Sequence, residues 1–225
     1  MQQSVKLIGL TTPSATTETR TAEELVAYAA RVSNPGNQNN EKTAPKLLSY
    51  LIKENHWSPF EMVSMTMEVV TTRDISRQII RHRSFSYQEF SQRYAVSEEF
   101  VPREARLQDT KNRQNSIKID RNDADQIRLS EEWRMKQMKL IRQIQELYNW
   151  GLKKGIAKEQ ARAVLPEGNT MTTLYMSGTL RSWIHYCQLR RANGTQAEHM
   201  EVAEMAWKVV EANFPNVAEA VEKLG

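Results

Sequence analysis

The chain has 225 residues, 40% of them hydrophobic and 26% charged, which is enough to bury the core of one domain. A formal net charge of +4 favours anionic ligands, either nucleic acid or small phosphate-bearing molecules. The single cysteine, Cys187, excludes an internal disulfide and any site built from several cysteines. No apolar run approaches the ~20 residues that span a bilayer, and the N-terminus lacks a signal-peptide pattern. We therefore expect a soluble, intracellular protein.

Three helices and two strands are predicted in the first 80 residues. Residues 5–10 form an apolar run typical of a strand, and residues 21–24 have the sequence of a capping box that begins a helix ending near residues 34–36. Pro45 suits the first turn of a second helix, which extends to about Asn55. Alternating apolar and polar residues over 63–69 predict a strand with one buried face. Residues 73–80 predict a short helix.

Helices dominate the rest of the chain. Residues 101–122 are polar and predict a long mobile loop, whereas residues 123–150, with Trp133 and Met138 among apolar side chains at helical intervals, predict a long amphipathic helix. A short helix over 157–165, a strand over 170–177 and a helix over 180–191 with Leu189 in the core follow. Residues 195–198 indicate a second capping box, which begins a helix to about residue 213, and a final short helix closes the chain. We expect an α+β fold with a small, mainly antiparallel sheet and a single domain, residues 1–225.

Residues 81–94, with the sequence RHRSFSYQEFSQRY, are named here the arginine-rich segment. They combine three arginines with one histidine, one glutamate and three serines, a composition that no periodic element requires. Closely spaced guanidinium groups repel one another unless an anion, usually phosphate or carboxylate, lies between them. The segment is therefore predicted to form an anion site.

The spacing within this segment matches a known signature. Arg81-His82-Arg83 is followed by seven residues and then by Ser91-Gln92-Arg93, which resembles the signature of the flavin-dependent thymidylate synthases. Further blocks occur in the order of that family over nearly the whole chain: Ala29-Ala30-Arg31-Val32-Ser33, His56-x-x-Pro59-Phe60-Glu61, Ala161-Arg162-x-Val164-Leu165-Pro166, and Arg181-Ser182 through Arg190.

The resemblance implies a homotetrameric α+β enzyme with FAD at active sites between subunits. It also implies conversion of dUMP to dTMP, with 5,10-methylenetetrahydrofolate as carbon donor and NADPH as reductant of the flavin. Such an enzyme has small-molecule nucleotide and folate substrates and no nucleic-acid or membrane partner. Its implied location is the cytoplasm, or the host cytoplasm if the source is a virus.

The resemblance also assigns residues to ligands by position. The positions that it implies for dUMP are Gln78, Arg81, Glu89, Phe90, Ser91, Gln92, Arg93, Arg162 and Arg190. The positions that it implies for FAD are His56, Ser58, Arg81, His82, Arg83, Glu89, Thr179, Arg181 and His185, with His56 in a positioning role close to the flavin and folate.

Arg190 receives the catalytic role. The resemblance implies that its guanidinium lies against the uracil and favours loss of the N3 proton, because a fixed cation stabilises the anion that forms. The residues alone also allow a simpler interpretation, in which Arg190 satisfies carbonyl groups at the C-terminal end of a helix.

Other reactive residues are given structural roles. Ser91 has only His82 nearby as a base, so binding of phosphate or uracil is favoured over a nucleophilic role. Cys187, midway along a predicted helix, is interpreted as a packing residue, which argues against a cysteine nucleophile. His199 is predicted to be a surface or structural residue, and no metal site is expected.

Four positions depart from the pattern common in the family. Gln88, Thr179 and His185 stand where asparagines are frequent, and Gly194 stands where histidine is frequent, so contacts through Gly194 must come from the backbone or be absent. An inactive homologue is a further interpretation, although no arginine of the signature is missing.

A nucleic-acid-binding module is an alternative from a different class. It rests on the basic charge and on aromatic residues interleaved with the arginines as stacking platforms: Phe85, Tyr87, Phe90 and Tyr94. It predicts salt-dependent binding of oligonucleotides without flavin.

Overall fold

The computed structural model describes residues 2–224. Its strands are β1 (Ser4–Leu10), β2 (Ser64–Thr72), β3 (Ser86–Glu89), β4 (Arg106–Gln108), β5 (Ser116–Lys118) and β6 (Met171–Thr179). Its helices are α1 (Ala22–Ala30), α2 (Ala44–Lys53), α3 (Arg73–Ile79), α4 (Ala124–Lys153), α5 (Lys158–Ala161), α6 (Leu180–Arg191), α7 (Ala197–Asn213) and α8 (Pro215–Leu224). The prediction of an α+β fold with a small antiparallel sheet is confirmed.

A four-stranded antiparallel sheet in the order β1-β2-β6-β3 forms the centre of the fold. The alternation predicted for residues 63–69 is confirmed, because Met67 and Val69 are buried opposite Met176 and Leu174 of β6. One hydrophobic cluster joins this sheet face to side chains of α1, α2, α3, α6, α7 and α8. Its largest fully buried side chains include Trp183 and Trp207.

The two central strands also place the helices that follow them. Strands β2 and β6 pair along nine residues, from Ser64 opposite Thr179 to Thr72 opposite Met171. Helix α3 starts directly after β2 and α6 directly after β6, so the two helices begin at opposite ends of the sheet. At ~1.5 Å per residue the 12 residues of α6 extend about 18 Å, and its C-terminal end reaches the segment that follows α3.

The first capping box is confirmed and the second is wrong. The Thr21 side chain accepts from the Glu24 amide at 3.1 Å, and the Glu24 carboxylate accepts from the Thr21 amide at 3.2 Å. At α7 the N-cap residue is Gln196, which makes no side-chain cap, and Thr195 lies one position too early. Glu198 instead accepts from the Gln196 side chain at 2.9 Å and pairs with arginines from outside the helix.

Three further predictions need correction. Helix α1 ends at Ala30, before the predicted residues 34–36. Residues 101–122 contain the β4–β5 hairpin, so the predicted loop has regular structure within it. Leu189 is 57% exposed, because it lies on the side of α6 opposite the core residues Trp183 and Ile184.

Helix α4 has 30 residues and runs from 124 to 153, against the predicted 123–150. Only some of its apolar side chains reach the core: Ile141 and Tyr148 are buried, whereas Trp133 and Met138 are 45% and 42% exposed. None of the helices described, α4 included, combines the length and the hydropathy that crossing a bilayer requires.

Candidate active site

The arginine-rich segment is held in place through its backbone and one buried ring. Strand β3 pairs with β6 at the sheet edge, and the Tyr87 hydroxyl lies within hydrogen-bonding distance of the carbonyl groups of Ile79 and His82, at 2.9 and 2.8 Å. Phe85 lies so close to Gly178 that a Cβ atom there would be 2.4 Å from the ring. The segment therefore has a fixed path, along which the arginine side chains are exposed and Glu89 is half-buried.

Besides Arg93, the exposed cations of this segment are Arg81 and Arg83. Within residues 2–224 neither side chain makes an ion pair or a hydrogen bond, and the same is true of Arg162. Unpaired guanidinium forks of this kind are suited to bidentate binding of phosphate oxygens. Their chemistry fits a ligand with several negative charges.

His82 and Arg190 are brought together by the fold. The Nε of Arg190 donates to Nε2 of His82 at 2.9 Å, so the guanidinium is directed at the imidazole instead of the carbonyl groups at the end of α6. Burial, and then the charge of Arg190, lower the pKa of His82. A neutral imidazole is the form that can accept this hydrogen bond.

Behind this pair lies a buried aromatic group. The ring of Tyr186 meets the ring of His82 edge to face, with 4.9 Å between centroids, and its hydroxyl is 3.1 Å from Nε2 of His199. His199 is fully buried, so the surface alternative in its prediction is wrong and the structural alternative stays a prediction. Its other ring nitrogen is 3.3 Å from the side-chain oxygen of Gln78.

Glu89 lies at the centre of a second cluster. Ser76 and Thr172 donate to its carboxylate at 2.9 and 3.0 Å, and Arg73 and Arg77 of α3 pair with it at 3.5 and 3.6 Å. Sequence reasoning missed both of these arginines. Their spacing of four on a predicted helix was the available signal, because such residues share one helix face.

The second half of the segment contacts α5. Arg93 pairs with Glu159 at 3.4 Å, and Lys158 donates to the Tyr94 carbonyl at 2.9 Å, which places the turn with Arg162 directly beyond this contact. The other predicted ligands here differ in exposure. Phe90 is 37% exposed, and the Ser91 hydroxyl accepts from the Arg93 amide at 3.4 Å.

Gln92 does not face an open site. It is 5% exposed, and its amide donates to the Ser97 hydroxyl at 3.1 Å inside the protein. Its assignment to dUMP stays a prediction, and in this structure its side chain supports the turn that follows β3.

The residues predicted for FAD outside the segment gather near the start of α6. The ring centroids of Trp57 and His185 are 4.5 Å apart, and Arg181 forms an ion pair with Glu61, three residues after Ser58. Burial of His185, and secondly the positive charge of Arg181, lower the pKa of His185.

The other two positions predicted for FAD make local contacts. Thr179 caps α6, because its side chain accepts from the Ser182 amide at 3.3 Å. His56 is exposed, and the centroid of its ring lies 6.0 Å from that of the Tyr50 ring.

The positions that depart from the family pattern have local explanations in two cases. Gly194 has a φ of +90°, a conformation that side chains disfavour, so glycine suits this turn. Thr179 is used as a helix cap, as described above. Gln88 is an exposed residue of the edge strand β3.

Cys187 is fully buried, and burial raises its pKa, as expected for a packing residue. Among residues 2–224, no three histidine, cysteine, aspartate or glutamate side chains gather in a way that could hold a metal ion.

The chain is thus an α+β protein with a concentration of cationic side chains whose chemistry suits phosphorylated ligands. Residues 16–216 match the family model described as thymidylate synthase complementing protein. The chain is 53% identical to a probable flavin-dependent thymidylate synthase of Paramecium bursaria Chlorella virus 1, over 97% of this chain and 99% of the relative. It is 48% identical to the flavin-dependent thymidylate synthase of Synechocystis, over 97% and 99%. The chain therefore belongs to this family of flavin-dependent enzymes.

A solved structure resembles the whole fold. The UMP/dUMP methylase PolB from Streptomyces cacaoi, bound with 5-Br dUMP, superposes with a TM-score of 0.81 at 26% identity, over 99% of this chain and 95% of that chain.

Proposed function

We propose that the protein methylates dUMP to dTMP, with bound FAD, 5,10-methylenetetrahydrofolate as carbon donor and NADPH as reductant. The names of the relatives and the nucleotide bound to PolB support dUMP as the substrate. The observation that carries the proposal is the contact between Arg190 and His82, because it joins the residue proposed for the uracil to the signature proposed for the flavin.

The residues present fit an anionic flavin. FAD carries a pyrophosphate, and the unpaired forks of Arg81 and Arg83 offer the donors that this group requires. The His185–Trp57 pair and Arg181 would supply further contacts. When bound, FAD supplies the redox chemistry and mediates transfer of the one-carbon unit, while the protein contributes orientation and electrostatics.

The nucleotide would be held by cationic side chains and by a hydroxyl donor. A monophosphate carries close to two negative charges, which Arg93 and Arg162 would compensate, with Ser91 as a hydroxyl donor. Arg190 would lie against the uracil and stabilise the anion formed when N3 loses its proton. A neutral His82 serves this role, because it orients the guanidinium and adds no competing charge.

The site would be completed by assembly as a homotetramer in the cytoplasm. Arg81, Arg83 and Arg162 are exposed or half-buried cations without acidic partners in residues 2–224, which is consistent with ligands shared between subunits.

Absorbance spectroscopy tests the proposal directly. The purified protein, or protein reconstituted with FAD, is expected to be yellow, to bleach with NADPH, and to oxidise NADPH faster when dUMP is added. A preparation that FAD cannot reconstitute would contradict the proposal. Salt-sensitive binding of oligonucleotides by that flavin-free preparation would favour the nucleic-acid alternative instead.

A further inference from the structure

A continuous series of hydrogen bonds runs from the protein core to the surface beside Gln78. The Tyr186 hydroxyl is 3.1 Å from Nε2 of His199, and Nδ1 of His199 is 3.3 Å from Oε1 of Gln78. Nε2 of Gln78 donates to Oε1 of Gln196 at 2.7 Å, and Nε2 of Gln196 donates to the Glu198 carboxylate at 2.9 Å. These five residues are named here the polar network.

Glu198 sets the direction of every bond in this network. Its carboxylate only accepts, so Gln196 must present its amide nitrogen to Glu198 and its oxygen to Gln78. Gln78 must then donate to Gln196 with its nitrogen and present its oxygen to His199. Against the effect of burial, the hydrogen bond from Gln196, together with Arg103 and Arg106 at 3.7 and 3.3 Å from the same carboxylate, lowers the pKa of Glu198 and keeps it charged.

The same logic assigns the proton on His199. Because Oε1 of Gln78 accepts, Nδ1 of His199 must carry the hydrogen, and Nε2 then accepts from Tyr186. Burial, followed by the charge of Arg190, lowers the pKa of His199 to about 3, so the ring stays neutral. A neutral ring has one proton, and the network therefore has one consistent arrangement.

The network leaves one N–H of the Gln78 carboxamide without a partner inside the network. Its oxygen is engaged by His199 and one amide hydrogen by Gln196, so the remaining amide N–H is a donor. Gln78 is half-buried, at the end of α3, three residues before Arg81. A donor here suits an oxygen of a nucleotide, either a uracil carbonyl or a phosphate oxygen.

We propose that His199 is a positioning residue that fixes the carboxamide of Gln78 so that its free N–H meets an oxygen of the bound nucleotide. This inference rests on the proposed function, because it takes dUMP as the ligand at Gln78. His199 itself touches no ligand and acts through Gln78. Without its Nδ1–H, the carboxamide loses the partner that holds its oxygen inward, and the amide is free to rotate.

Three variants at one position test the role of Nδ1. In His199→Asn the amide nitrogen replaces Nδ1, in His199→Gln it replaces Nε2, and His199→Leu removes both polar groups. We expect dUMP affinity, measured by calorimetry on the FAD-loaded protein, to fall about tenfold in the Leu and Gln variants and to stay within about twofold in the Asn variant. Equal dissociation constants for the Asn and Gln variants would overturn the inference, whether or not the Leu variant folds.

Val210→Ala is the matched control for loss of packing. Val210 is fully buried on the same helix, outside the polar network. This variant is expected to melt at a lower temperature and to bind dUMP with unchanged affinity. A comparable loss of dUMP affinity in this control would reduce the His199 effect to packing and overturn the inference.

A double-mutant cycle separates action through Gln78 from a general effect on the core. If His199 acts through Gln78, His199→Leu has no further effect on dUMP affinity once Gln78 is alanine. If the two substitutions instead lower dUMP affinity independently, so that the double variant shows the product of the two single losses, the inference is contradicted. Wild-type protein that retains FAD but binds no dUMP would overturn the proposed function as well, which distinguishes that failure from one confined to His199.

Deoxyribose 5-phosphate, which lacks the base, identifies the acceptor oxygen. If the partner is a phosphate oxygen, His199→Leu weakens binding of this probe as it weakens dUMP. If the partner is a uracil carbonyl, the variant changes only dUMP binding. An unchanged affinity for both ligands would contradict the proposed role of His199.

Discussion

The guanidinium of Arg190 meets the imidazole of His82 at 2.9 Å across a separation of 108 residues in the chain. The family resemblance had assigned both residues to the site, His82 within the signature and Arg190 from a later block of the chain. Their contact was not predicted, since it depends on the path of α6 across the sheet. The Arg73 and Arg77 contacts to Glu89 were missed although the two arginines share one helix face, because nothing in the local sequence shows which carboxylate that face meets.

Replacement of Arg190 tests its proposed role against the uracil. Arg190→Ala is expected to lower the rate of dTMP formation by two or more orders of magnitude, about 3 kcal/mol of transition-state stabilisation, while FAD remains bound. The measurements are single-turnover assays and flavin absorbance. Cys187→Ser, one turn earlier on the same helix, is the control and should retain activity. An inactive Cys187→Ser variant would instead support a mechanism in which Cys187 is a nucleophile.

The buried imidazole of His199 predicts a loss of stability in acid. An unfolded histidine binds a proton with a pKa of about 6.5, whereas folded His199 has a pKa of about 3. Below pH ~6.5 the unfolded chain therefore holds an extra proton, and folding stability falls as pH falls. From pH 7 to pH 5 this residue should contribute a loss of about 2 kcal/mol.

Urea unfolding of wild type and His199→Asn at pH 7 and pH 5 measures this contribution. The variant should show a loss of stability smaller by that amount, because asparagine does not titrate. Val210→Ala should lower stability by a similar amount at both pH values. An identical pH dependence in wild type and His199→Asn would contradict the pKa assigned to His199.

At the scale of elements, repeating patterns were more reliable than cap signals. The alternation over residues 63–69 identified β2, because burial on one sheet face requires it. The two capping-box sequences had the same four-residue form, yet only the first one caps its helix. At α7 the carboxylate of Glu198 forms ion pairs with Arg103 and Arg106 instead of accepting from a backbone amide at the start of the helix.

The two threonines of these sequences give a matched pair of stability tests. Thr21→Ala removes the cap of α1 and is expected to lower the free energy of unfolding by about 1 kcal/mol. Thr195→Ala removes no cap and should change it by less than about 0.5 kcal/mol. Denaturant unfolding of both variants measures the difference, and equal losses would show that the cap assignment at α7 is wrong.

The contact between Gly178 and Phe85 joins β6 to the arginine-rich segment. A Cβ atom at Gly178 would lie 2.4 Å from the Phe85 ring, so Gly178→Ala must displace the ring. We expect a loss of about 1–3 kcal/mol in unfolding free energy, together with weaker FAD binding. Gly36→Ala is the control, because a Cβ atom there meets nothing within 4 Å. Wild-type behaviour of Gly178→Ala in both measurements would contradict this packing constraint.

At the scale of the whole molecule, α4 presents apolar side chains that the single chain does not cover. Trp133, Leu140 and Leu147 follow one another at intervals of seven and are 45%, 54% and 50% exposed. Residues at this spacing lie on one face of a helix, and an exposed apolar stripe is typical of a contact between proteins. The stripe supports the proposed homotetramer.

Light scattering coupled to size-exclusion chromatography tests this assembly. Wild type is expected to have four times the monomer mass, and Leu140→Glu should reduce that mass and the FAD retained. Asn149→Asp adds the same charge on the opposite side of α4 and should leave the tetramer intact. A monomeric wild type that holds FAD would exclude sites completed by assembly.

The sequence by itself determined the types of most elements, the α+β class and the family, but not the β4–β5 hairpin within residues 101–122. The elements and the class follow from local periodicity, and the family follows from the spacing of short motifs such as Arg81 to Arg83. The tertiary structure alone decided that Arg190 meets His82, that His199 is buried against Gln78, and that Gln92 faces inward. Each of these depends on packing between elements far apart in sequence, where burial and charge partners override what a short stretch of chain favours.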